Sequence, residues 1–364
     1  MTSPANSPAE PTYAESELYD SPDDLARWPL LAPLLKTWQT EVWEKDHTEF
    51  RGCWHYDQEA IRLQSRHRLA VILAAITGTG AVVLAILQLG KIEADVLMYL
   101  EIACLVAAVV TIVLGIFLSL DHRWRELRFK AEQYRMLKFR FLHDAAGWLA
   151  AGEEERARHL FTHLLKIHGA NREAIKEWIR WKIEMLPLLE APDVEPDLPL
   201  ALELADYFRQ RRLLPQRHYF HKRGHRLHSV ERIVRWVGPG LFFASVFCAL
   251  AHAAIHVAHR NSEGGTEQHD STSLVLFAAL ALALLAAILP VAAAGVRTWR
   301  GAFEFGRNAL RFESMAHHLE HLLSELDKAK TPEAILAILR RGEYAMESEH
   351  RAWMRLMMEA EWFG

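Results

Sequence analysis

Twenty of the 364 residues are histidines, and they are the first candidates for chemistry. His252, His256 and His259 are spaced i, i+4 and i+7, which puts three imidazoles on one face of a helix. His269 and Asp270 follow in the next polar stretch. Imidazoles converging this way suit Zn²⁺ or a proton sensor, because histidine titrates near neutral pH. The plainer reading is a polar end to an apolar helix.

His218, His221, His225 and His228 repeat in the same manner, interleaved with Arg217, Lys222, Arg223 and Arg226. Such a face offers contacts to anionic lipid headgroups or an anionic ligand, each basic residue contributing about 1 kcal/mol near an anionic leaflet. It equally fits the basic bias of any helix about to enter a membrane. Glu313, His317 and His321 share a third helical face, but no facing carboxylates complete a metal site, so a solvated surface is expected.

Glu101 stands in an apolar run. At depth a carboxylate is costly and lines ion or proton paths; near the end of a span it is interfacial. Both placements stay open.

Enzyme signatures are missing. Thr77-Gly78-Thr79-Gly80 has a Gly-x-Gly-like element, yet it follows no strand and sits in an apolar helix, where small residues serve close packing. There is no Gly-x-Ser-x-Gly elbow, His-Glu-x-x-His helix or paired-cysteine site. Cys53, Cys104 and Cys248 give neither a disulfide framework nor a zinc knuckle. No cofactor is implied, and a formal net charge of -4 argues against a nucleic-acid binder.

The elements that must carry these residues are membrane helices. A span needs about 20 apolar residues at 1.5 Å rise. Residues 69–89, 96–120, 236–258 and 273–296 qualify. Helices this long stay apolar all round only in a bilayer or a large core.

Arginine and lysine crowd the outer flanks of the two hairpins, as at Arg62, Arg66, Arg68, Arg123, Arg125, Arg232, Arg235, Arg297 and Arg300. The hairpin loops hold only Lys91 and Arg260 against Glu93, Asp95, Glu263, Glu267 and Asp270. Both termini and the central region are therefore expected in the cytoplasm. The acidic, Pro/Ser-rich start lacks a secretory pattern and reads as a disordered tail over residues 1–26.

The expected fold is thus all-α and integral to the membrane: four transmembrane helices as two hairpins with long cytoplasmic helical extensions. The first two-span unit covers residues 27–145, with a long amphipathic helix over 29–66 that carries Trp38, Trp43, Phe50 and Trp54. A helical region with a Pro-rich linker covers 146–214, and Pro215 opens a second two-span unit, 215–364. Residues 55–68 align with 219–232 at an offset of 164, pairing Arg62-Leu63 with Arg226-Leu227 and Arg68 with Arg232. Helix, hairpin and helix recur in the same order, which favours an internal duplication.

A basic helix, a two-span hairpin and then Trp124 to Leu142 (WRELRFKAEQYRMLKFRFL) resemble the SLATT domain. The match is best at Ala131-Glu132 with Tyr134-Arg135 after it. The second half, entered at Gln216-Arg217-His218-Tyr219-Phe220-His221, is similar to the anchoring halves of related multidomain bacterial proteins. SLATT modules associate with SMODS nucleotidyltransferases and SLOG sensor domains. The resemblance implies a non-enzymatic effector of the bacterial inner membrane that oligomerises and perforates or depolarises it. Its trigger would be a separate cytoplasmic sensor or nucleotide synthase, or a ligand that the helices themselves bind, since no such domain is seen in this chain. A constitutive anchor or scaffold, and a regulated ion-channel subunit, are the alternatives.

Overall fold

In the computed structural model, residues 17–44, 52–89, 95–181, 191–262 and 269–359 are described, and among them every regular element is helical. Helix α1 is Pro22–Arg27 and α2 is Ala32–Trp38, extended by a π-helical turn, Gln39–Glu44. The first hairpin is α3, Cys53–Leu89, and α4, Asp95–Phe117; its exit helix α5 is Leu120–His143. Next come α6, Ala145–Ala150, α7, Glu153–Gly169, and α8, Arg172–Trp181. Helix α9, Leu198–Phe208, passes through a π-turn, Arg209–Leu213, into α10, Leu214–Ser262. The second hairpin pairs α10 with α11, His269–Phe303, and the chain continues through α12, Phe305–Leu326, and α13, Pro332–Glu359.

Among the described residues, four helical stretches are long and apolar enough to cross a membrane: Cys53–Gln88, Asp95–Phe117, Leu198–Ala258 and Val275–Leu326. The chain is an all-α, multi-pass membrane protein. Large apolar side chains cover the outside of these helices, with Phe243, Phe247 and Phe277 each more than 70% exposed. In water such surfaces are unstable; in lipid they are the expected coat. Pro239 and Pro290 lie within α10 and α11.

The chain divides into two compact bodies that cut across the sequential division expected above. The hairpin body is made of Arg66–Ser119 and Gly224–Leu310. Within it, a Cβ built on Gly295 of α11 would lie 3.2 Å from Thr79 Oγ1 of α3, so a glycine allows the two hairpins to approach. The polar body gathers Met1–Ser65, Leu120–Arg223 and Arg311–Glu361. Its centre is aromatic, with Phe129, Phe139, Phe141, Trp148, Tyr207 and Phe208 each fully buried.

Several expectations need correction. Residues 17–26 are not a disordered tail: Glu17, Leu18 and Asp20 are 0%, 2% and 1% exposed, and Ser21 caps α1 in a capping box with Asp24. Residues 1–16 lie outside the described residues. The amphipathic helix does not run from 29 to 66. Its first part is α2 and the π-helical turn, and α3 begins at Cys53, with residue Phe50 outside the described residues. Pro215 sits in the first turn of α10, which begins at Leu214, where a missing N–H costs least.

The second span ends at Phe117 rather than 120. Ser119 takes φ 47°, which breaks the helix before α5 starts. Glu304, between α11 and α12, takes φ 44° in the same way. A non-glycine residue in the left-handed region costs on the order of 1 kcal/mol, and the same strain recurs just past the second helix of each hairpin.

Candidate functional site

The polar side chains that the fold brings together form a buried ion-pair network in the polar body, built around α5. Arg135 Nη1 lies 2.6 Å from Glu132 and its Nη2 3.4 Å from Asp57 of α3. Arg128 reaches the same Asp57 at 2.5 Å and Glu132 at 2.6 Å. Arg212, beside α10, donates to both carboxylate oxygens of Glu343 on α13 at 2.9 and 3.1 Å, and to Glu17 at 3.0 Å. Lys138, with no exposed surface, donates to Asp20 Oδ2 at 2.7 Å.

Burial pushes the Glu132 carboxyl up, but Arg135 and Arg128 more than offset this and hold it at about 2. For Glu17 the balance reverses: burial outweighs Arg212 and Arg135, and the carboxyl rises above its ordinary value. Burial lowers Lys138 despite Asp20 beside it. On α13, burial pushes Glu349 up to about 7 against the pull of Arg311, 3.0 Å away, and lowers His350 to about 4.

A second buried arrangement joins α3, α5 and α7. The Tyr56 hydroxyl lies 2.6 Å from His168 Nδ1, and the Tyr134 hydroxyl 2.8 Å from Nε2. A neutral imidazole donates through one nitrogen and accepts through the other, so one tyrosine gives its proton to the ring and the other receives the ring's. Burial and Lys130 keep the His168 pKa low, which preserves that neutral form. Cys53 Sγ donates to Ala131 O at 3.4 Å beside it. The Ala131-Glu132-x-Tyr134-Arg135 stretch therefore contributes to both buried arrangements.

Each hairpin also has a clamp between its entering and leaving helices. In the first, Asp57 of α3 meets Arg128 of α5. In the second, Glu231 of α10 receives Arg300 of α11 at both carboxylate oxygens, 3.1 Å from Nε. Hydrogen bonding from Arg300 lowers the Glu231 pKa.

The residues singled out in the sequence are scattered by comparison. His252 is half-buried, with Nδ1 2.8 Å from Ala279 O of α11, and its ring centroid lies 6.3 Å from that of the exposed His256. The side chains of His259, His269 and Asp270 lie outside the described residues, and among the described residues no three His, Cys, Asp or Glu side chains group for a metal. His221, Lys222 and Arg226 are exposed and Arg223 is half-buried along α10, while Arg217 lies 3.9 Å from Glu320 of α12. Glu101 accepts from Gln88 Nε2 at 2.7 Å, close to the loop end of the first hairpin. His317 and His321 are exposed, near Glu320 and Glu325 of their own helix.

Sequence reasoning missed Glu17, Lys138, Arg212 and Glu343. The one available signal was a run of charges, Glu132, Arg135 and Lys138, recurring at helical spacing among the aromatics of α5.

A two-span hairpin with a buried, charged exit helix defines a class of membrane module. Residues 53–182 match the family model of the SMODS and SLOG-associating 2TM effector domain 3, and over this stretch the chain is SLATT-like. The matched stretch covers α3 through α8 and so contains the first hairpin, Asp57, Glu132, Arg135, Tyr56, Tyr134 and His168. No curated protein and no solved structure matches the chain.

Proposed function

We propose that this chain is a non-enzymatic bacterial membrane effector that oligomerises and changes membrane permeability on a cytoplasmic signal. The observation that carries this reading is the match of the first hairpin and its charged exit helix to an effector family. The apolar character of the four spans suits a pore gated by oligomerisation, or a plain anchor, better than a carrier. Arginine and lysine beside the outer flanks support a cytoplasmic side for both termini, where a sensor or nucleotide synthase would act on them.

Asp57 and Arg128 tie the ends of α3 and α5, so a signal that disturbs α5 reaches both helices of the first hairpin. The second reading, a constitutive scaffold, is favoured by the extent of the polar body, which has its own aromatic core.

Viability separates the two. Cells expressing the chain are compared with and without the genes encoded beside it. Partner-dependent killing that disappears on deletion of residues 69–120 supports the effector; full viability in every case, with the protein present in the membrane, leaves the scaffold.

A further inference from the structure

Residues 17–20 sit in a seat built by distant parts of the chain. The Glu17 carboxylate accepts from Arg212 at 3.0 Å and Gln216 at 2.8 Å. Lys138 Nζ donates to the main-chain oxygens of Glu17 and Leu18 at 2.9 and 3.1 Å, and Trp38 Nε1 to Leu18 O at 3.2 Å. The Asp20 carboxylate accepts from Lys138 at 2.7 Å and from the Tyr207 hydroxyl at 3.0 Å. The Leu18 side chain is 2% exposed, whereas Tyr19 is 38% exposed and lies against Trp43.

This resembles the grip on a bound peptide, with main-chain groups held for affinity and side chains held for specificity. Three side chains of the segment are read and one is not, so the seat selects Glu-Leu-x-Asp. The seat itself is cationic. Lys138, Arg135 and Arg212 are each at most 3% exposed; without residues 17–20 the arginines keep Glu132, Asp57 and Glu343, whereas Lys138 loses all three acceptors named above. A buried cation left without its counter-charge is strongly unfavourable, so an emptied seat has a standing demand for an acidic segment.

We propose that this seat is a peptide-binding site for an acidic Glu-Leu-x-Asp segment, filled by the chain's own residues 17–20 as a detachable ligand. Tethering keeps the segment at a local concentration on the order of millimolar, so free peptide does not enter the intact protein. The site is independent of the permeability reading, because it concerns binding and not flux.

The test uses full-length protein in detergent and a fluorescent peptide of residues 14–24, with binding read by anisotropy. The Leu18→Ser/Asp20→Asn chain, whose own segment is weakened, is expected to bind the native peptide at least about tenfold more tightly than the unaltered chain does. It should discriminate to the same degree against a peptide carrying the same two substitutions. Equal binding by both chains, or by both peptides, overturns the proposal. Hydrogen exchange on the unaltered chain gives a second reading that needs no variant. Amides of residues 18–21 should open separately from those of residues 207–216; opening only together with the whole body contradicts a detachable segment. Crosslinked dimers formed through this segment would show that a second copy, and not the same chain, fills the seat, and would overturn the assignment to the chain's own residues.

Discussion

The Arg300 guanidinium caps the Glu231 carboxylate across the second hairpin, with Nε 3.1 Å from each carboxylate oxygen and Nη2 also bonded to Oε1. A planar fork on a carboxylate fixes direction as well as distance. The pair therefore ties α10 to α11 in a fixed orientation. Arg300→Lys keeps the charge but loses the fork. Faster hydrogen exchange over residues 225–235 and 296–306 is the expected result, with the polar body unaffected. Unchanged exchange would show that the clamp has no structural role.

Lys138 and Asp20 are a fully buried pair, and removing one partner leaves the other charge stranded. Lys138→Ala should destabilise the protein by about 3–5 kcal/mol. Adding Asp20→Asn should restore part of that loss, since the stranded carboxylate is removed. Thermal unfolding in detergent measures both; additive losses would contradict the coupling.

Two groups of the polar body give stability opposite pH slopes. His143 is held at about 3 by burial and by Arg340, below its ordinary 6.5. Its contribution is complete above pH 6.5 and is lost as pH falls toward 3, amounting to about 2 kcal/mol by pH 5. His143→Phe should remove that loss. Glu349 is raised to about 7, so its contribution is complete below pH 4.5 and is lost as pH rises through 7, in all about 3 kcal/mol. Glu349→Gln should flatten that upper slope. Chemical denaturation at pH 5, 6, 7 and 8 checks both, and identical pH profiles for the variants and the parent would refute the assignment.

Glu132, held at about 2, gives the opposite carboxylate case. Its stabilisation is complete above pH 4.5 and lost as pH falls through 2, on the order of 3 kcal/mol. Glu132→Gln should lower stability by that order at pH 7 and leave no difference from the parent at pH 2, as read by denaturant midpoints at the two pH values.

Gly295 faces Thr79 across the two hairpins, where an added Cβ would lie 3.2 Å from the Thr79 hydroxyl. Gly295→Leu should force α3 and α11 apart, at a cost of about 1–3 kcal/mol typical of overpacking. A Thr79→Cys/Gly295→Cys pair should crosslink within one chain; crosslinks formed only between chains would contradict the packing.

The four spans were legible because an apolar helix in lipid declares itself by length alone. Residues 69–89 and 236–258 fall inside α3 and α10 as expected. The polar body was not legible in the same way. Glu17 looks like tail because its partners Arg212 and Gln216 lie 195 and 199 residues away, and no local periodicity reports a contact at that range. The opposite error came from the histidines. His252 and His256 share a helical face as their spacing required, yet His252 spends Nδ1 on the Ala279 carbonyl, a hairpin contact that spacing within one helix cannot foretell. The left-handed break at Ser119 was likewise hidden, since serine, unlike glycine, does not advertise a positive φ.

The central claim is that this chain changes membrane permeability when a partner signals to it. The direct measurement is membrane potential, read with a voltage-sensitive dye in cells expressing the chain with and without the neighbouring genes. The account predicts depolarisation that requires a partner and vanishes when residues 69–120 are deleted. A potential that stays intact under every condition, with the protein confirmed in the membrane, would contradict it.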